Sequence, residues 1–96
     1  MRNEKFLNEL YAVEEIVGRL PEGVRAFGVS FNSYWPADNE QHTLIHVDGD
    51  LAGYAKATGL QTVVEKDKPI NDAVYDKTYA RERDGILLLQ MERENV

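Results

Sequence analysis

Tyr75, Lys77, Tyr79, Arg81 and Arg83 alternate with other residues along one stretch of the chain. In an extended strand, positions two apart share a face. Arginine beside tyrosine suits an anionic ligand: a guanidinium binds phosphate through two parallel hydrogen bonds, and an aromatic ring stacks on a base or a cation. Tyr79, Arg81 and Arg83, joined by His42 and His46 from an earlier strand, are therefore candidates for a nucleotide site shared between subunits. The same composition suits a protein interface. A solvated face with ion pairs to Asp76, Glu82 and Asp84 accounts for it most simply. His42 and His46 stand four residues apart, which in a strand separates them by about 13 Å. That is too far to share one metal ion, and the chain contains neither Cys nor a His-x-His spacing. No metal site is expected.

A second group is Tyr34 and Trp35, followed by Asp38 and Glu40. Trp and Tyr dominate interface hot spots, and acidic neighbours steer a basic partner, so these four are candidates for a protein interface. Closing the core or a dimer contact would explain the aromatics equally well. Glu9, Glu14, Glu15, Glu22, Asp38 and Glu40 could imitate nucleic-acid phosphates before a basic groove. Solvated faces explain them more simply. Asp48-Gly49-Asp50 after an apolar strand is similar to the aspartate pair of haloacid-dehalogenase-type phosphatases, in which one carboxylate is nucleophile and the other acid/base. The threonine that usually follows is replaced by Leu51-Ala52, and a turn with a helix N-cap accounts for the triplet. Ser30 and Ser33 are the only serines, and neither lies in a nucleophile-elbow context. The glycines form no phosphate-cradling motif. No catalytic residue and no cofactor are expected, and the chain reads as a non-enzyme.

The balance of 11 basic against 17 acidic residues in 96 gives a net charge of −6. That argues against sequence-independent nucleic-acid binding, which needs a surplus of cations to release counterions. No stretch approaches the ~18 apolar residues of a membrane span, and no signal peptide precedes the first helical pattern. The absence of Cys fits a reducing compartment, so the cytoplasm is expected.

The elements that must position these side chains follow from periodicity. Phe6, Leu7, Leu10, Val13, Ile16, Val17 and Leu20 recur at spacings of three and four, which predicts a helix over 4–20, capped by Asn3 and stopped at Pro21. Alternation predicts a strand over 24–34, with Phe27, Val29 and Phe31 on one face and Ala26, Gly28, Ser30 and Asn32 on the other. A loop over 36–40 and a strand over 41–47 complete a hairpin. A short helix over 50–58 is expected, with Asp48 as cap and Gly59 as stop. A strand over 60–65, a polar connection over 66–72 containing Pro69, and a strand over 74–82 come next. Asp84-Gly85 is a hairpin turn. The near-continuous apolar run in a strand over 86–92 predicts a central position covered on both faces. The order α-β-β-α-β-β-β in a single domain over 1–96 predicts an α+β two-layer sandwich, two helices on a mainly antiparallel sheet.

The whole-chain pattern resembles small accessory proteins encoded by bacteriophages and prophages of gut bacteria. The resemblance lies in the opening helix Asn3-Glu4-Lys5-Phe6-Leu7, the aromatic-rich strand, the strand-to-helix passage at Ile45-His46-Val47-Asp48, and the closing hairpin with Tyr75-Asp76, Tyr79 and Asp84-Gly85-Ile86. It implies a phage-encoded inhibitor of bacterial immunity in the host cytoplasm. Such an inhibitor binds a host defence protein, as anti-CRISPR proteins do. The alternative is a sponge that sequesters a signalling nucleotide of the cyclic oligonucleotide or ADP-ribose type. A third expectation, a structural or regulatory homo-oligomer, rests on the apolar strand over 86–91, since a small sheet gains by covering its edges.

Overall fold

Helix α1 (Glu4–Arg19) and strands β1 (Val24–Tyr34) and β2 (Gln41–Gly49) open the chain, and helix α2 (Leu51–Thr58) follows. Strands β3 (Thr62–Ile70), β4 (Ala73–Arg83) and β5 (Ile86–Arg93) close it. This is a computed structural model, and it describes residues 3–34, 41–71 and 73–93. The α+β class and the element order match the expectation. The five strands lie in the order β1-β2-β5-β4-β3. All neighbours are antiparallel except β2 and β5, which run parallel. Among the described residues no helix is long and apolar enough to cross a membrane.

Both helices lie on one face of the sheet. Val13 and Ile16 of α1 and Leu51 and Ala55 of α2 share a core with Ile45, Val47, Ala80 and Leu88. The opposite face carries a smaller buried cluster of Leu44, Tyr79, Leu87 and Leu89. Leu87 and Leu88 are neighbours with opposite orientations, and both are fully buried. That is why β5 reads as a continuous apolar run. It is the central strand, as expected. Both of its edges are already hydrogen-bonded, to β2 and β4, so β5 offers no edge for self-association.

Several local readings need correction. Two bulges interrupt β1, between Ala26 and Gly28 and between Ser30 and Ser33. An extra residue reverses the side-chain alternation. Ala26 therefore packs towards the helix-side core, whereas Phe27 lies beside His46, with ring centroids 6.1 Å apart. Strand β3 continues through Pro69 to Ile70, paired with β4 across a bulge between Glu65 and Lys68. Proline is tolerated there because β3 is an edge strand. The hairpin that follows turns through Asn71, at φ 55°. Asn3 occupies the N-cap of α1 without a side-chain capping bond.

The cap of α2 is Asp50, not Asp48. Strand β2 runs on to Gly49, whose φ of 110° redirects the chain. Asp50 then accepts a hydrogen bond from Gly53 N at 3.0 Å, while Asp48 pairs with Arg25 at 2.7 Å on the strand. Gly59 ends α2 in the left-handed conformation, as expected. The same corner is held from β5 by the buried Gln90. Its Oε1 accepts from Leu51 N at 3.0 Å. Its Nε2 donates to Gly49 O at 2.7 Å and to Glu92 Oε1 at 2.9 Å.

Candidate functional site

The bulges decide where the expected nucleotide-binding residues go. Tyr79 is opposite Leu89, and Leu89 is opposite His46. Tyr79 and His46 thus share the face away from the helices, with one strand between them and about 10 Å of separation. Arg81 turns its guanidinium to Asp84 at 3.2 Å. A register shift between Arg81 and Arg83 breaks the alternation. Arg83 swings to the helix face and pairs with Glu15 of α1 at 3.3 Å. His42 is buried near the start of β2, at 5% exposure. Tyr79, Arg81, Arg83, His42 and His46 therefore do not converge on one cavity. Of the other group, Trp35, Asp38 and Glu40 lie outside the described residues. Tyr34 is placed by its backbone alone, which pairs with Gln41.

Tyr79 donates a hydrogen bond to Glu65 Oε1 at 3.1 Å. Burial, reinforced by that carboxylate's charge and hydrogen bond, pushes the phenol up to about 12. A raised folded value means the contribution to stability is complete below the unfolded value of about 10 and is lost as pH rises through about 12. An alkaline titration of stability, followed by urea denaturation, should show a decline between these two values. In Tyr79→Phe this decline should be smaller. An identical profile in the variant would mean that another group is responsible.

His46 makes a contact that strand patterning did not reveal. Its Nε2 lies 2.9 Å from Ser30 Oγ. Burial lowers the imidazole pKa, so the neutral ring is favoured. A hydroxyl beside a neutral imidazole is the start of a nucleophilic set. The described residues show no carboxylate bonded to the other ring nitrogen, so the pair stands as a cross-strand hydrogen bond. The diagonal placement of Ser30 and His46 on paired strands was the available signal, hidden by the first bulge in β1.

Two features emerge only in the structure: a cleft drawn from segments far apart in sequence, and the exposure of much of the α1 stripe. The first is a cleft of about 350 Å³ at the end of the sheet where β2 begins. Lys5 and Glu9 of α1 form one wall, and Asn32, Gln41, His42 and Asp84 contribute to the rest. Thr43, buried at its margin, donates to Glu9 Oε2 at 3.4 Å. Asn32 sits in the left-handed region at φ 57°, inside the second bulge of β1. The second feature is the N-terminal half of α1. Only Val13 and Ile16 of its apolar stripe are buried. Phe6 is 48% and Tyr11 65% exposed, and Leu7, Leu10 and Val17 are also exposed. Phe31 of β1 packs edge-on against Phe6 at 5.2 Å between centroids, and Val29 remains exposed.

No family model, curated protein or solved structure matches the chain. The functional reading therefore rests on the chain's own geometry. Among the described residues there is no cluster of three or more His, Asp or Glu able to hold a metal ion.

Proposed function

We propose that this protein is a binding module for another protein, and that its contact surface is the N-terminal half of α1 with the adjoining part of β1. The observation that supports this is the half-used stripe of α1: an amphipathic helix that buries two residues on its own sheet leaves Phe6, Leu7, Leu10 and Tyr11 exposed together. Single exposed apolar residues are ordinary, whereas a contiguous group with aromatic members is the composition of an interface core. Glu4 and Glu14 are exposed on the same helix, and the chain carries a net charge of −6. The complementary partner presents an apolar groove edged with Lys and Arg. A second copy of this chain would set acidic rim against acidic rim, which disfavours self-pairing through this surface. The partner we propose is a bacterial defence protein, which is what the resemblance to phage accessory proteins implies.

The test is site-specific photo-crosslinking in bacterial cells. A benzophenone amino acid replaces Tyr11 in one variant and Val64, an exposed apolar residue of β3, in a control. The expected result is a discrete adduct of fixed mass from position 11, absent from position 64. Adding Leu7→Asp should remove the adduct while changing stability by no more than about 0.5–1 kcal/mol, because Leu7 is exposed. An adduct with the mass of two copies of this chain would overturn the reading, as would equal labelling from both positions or none from position 11.

A further inference from the structure

We infer that the cleft between α1 and the start of β2 is a binding site for a small zwitterion of the size of a free α-amino acid. The site is distinct from the exposed stripe of α1 and does not depend on it. Its volume of about 350 Å³ lies at the small end of the roughly 300–1,000 Å³ typical of ligand pockets. That suits a single small metabolite.

The charges select the class. Lys5, Glu9 and Asp84 all line the cleft. Asp84 is already matched by Arg81 at 3.2 Å. Lys5 and Glu9 remain, one helical turn apart on the same wall. Residues at this spacing are neighbours within reach of one another, although Lys before Glu is the weaker order. Here no ion pair joins them within 4.0 Å; the bond shown for the Glu9 carboxylate is the Thr43 hydroxyl at 3.4 Å. One cation and one anion thus border the same cavity without neutralising each other. A guest with a carboxylate and an ammonium group a few ångströms apart satisfies both. Asn32 and Gln41 add amide donors and acceptors that can fix its orientation. His42, nine-tenths buried, forms part of the enclosing surface.

The experiment is an amide-resolved NMR titration of the full chain with the standard free amino acids. Each is also offered with its amine acetylated and with its carboxylate amidated. The expected result is that one or a few free amino acids shift the amides of Gln41, His42, Thr43 and Gly85. Blocking either end should weaken binding by about tenfold or more, the worth of one charge-assisted hydrogen bond. If only one end matters, the guest is a peptide terminus rather than a free amino acid, and the zwitterion assignment falls. Lys5→Glu, at an exposed position, should lose the amino acid and gain a linear diamine, because two carboxylates other than the Arg81-paired Asp84 then border the cleft. Three results would each overturn the inference: no shift at concentrations on the order of 10 mM, where even millimolar affinity registers; equal binding of blocked and free forms; or unchanged preference in Lys5→Glu. Because none of these readouts involves Phe6, Leu7, Leu10 or Tyr11, failure here leaves the protein-binding proposal standing.

Discussion

Gly49→Ala is expected to remove about 4 kcal/mol of stability, a large share of the roughly 5–15 kcal/mol typical of a domain. Gly49 has φ of 110°, a conformation that is strained for any residue with a Cβ, at roughly 1–3 kcal/mol. An added Cβ would also stand 1.9 Å from Gly23 O and 2.9 Å from its carbonyl carbon. The obstacle is backbone, not the end of a flexible side chain. It cannot withdraw easily, because the same Gly23 carbonyl accepts a hydrogen bond from Asp50 N at 2.8 Å. Forcing such groups apart adds roughly 1–3 kcal/mol. Gly18→Ala supplies the opposite case. Gly18 lies within α1, and a Cβ there would meet nothing within 4 Å. That variant should gain about 0.5–1 kcal/mol from helix propensity. Urea denaturation of both variants measures the contrast. A loss below about 1 kcal/mol in Gly49→Ala would show that the β2-to-α2 corner is not built as described.

Gln90→Leu should cost about 2–4 kcal/mol although it replaces a polar side chain in the core by an apolar one of similar size. The amide group is fully used: it accepts from Leu51 N and donates to Gly49 O and Glu92 Oε1. Leu51 is itself fully buried. Removing the side chain leaves the first N–H of α2 and the carbonyl of Gly49 without these partners, at roughly 1–3 kcal/mol for each group that water cannot reach. Hydrogen exchange gives the specific readout. The Leu51 amide should lose protection by more than global destabilisation explains, while amides in the β3–β4 hairpin follow the global change. Uniform loss of protection would assign Gln90 to packing alone. Gln90 bonds the carbonyl of Gly49 itself, so the two substitutions act on one corner and should not add.

Both of these sites show what a single strand of text conceals. The stripe of α1, the central position of β5, the stop at Gly59 and the order of elements were legible, because each depends on periodicity or on one residue's conformational preference. Gln90 was not: Gly49 and Leu51, which it holds, lie 41 and 39 positions away at the corner between β2 and α2, and nothing local to the strand points to them. Arg83 was read onto the face of Tyr79 because alternation was assumed to persist, and one bulge sent it to Glu15 instead. Phe27 and Ala26 exchanged faces for the same reason. Pro69 looked like a break because its tolerance depends on being at a sheet edge, which strand order alone decides. Asp48 was read as the cap because the strand was expected to end at Val47; β2 runs on to Gly49 and moves the cap to Asp50. The cleft needed α1, β1, β2 and the β4–β5 turn together, so Lys5 and Glu9 appeared only as charges on a solvated helix.

The parallel contact of β2 with β5 has a consequence for how the chain reaches this structure. Every other strand pairing joins neighbours in sequence: β1 with β2, β3 with β4, β4 with β5. Each of those can form early, because closing a short loop loses little chain entropy. The β2–β5 seam joins residues such as Gly49 and Gln90, 41 positions apart. Two locally assembled halves, α1-β1-β2-α2 and β3-β4-β5, must therefore meet along one line. That line carries Ile45, Leu87 and Leu88, which are among the most deeply buried residues of the sheet. The non-local encounter sets the pace of folding, and until it happens the edges of β2 and β5 stand open to any other strand that arrives first.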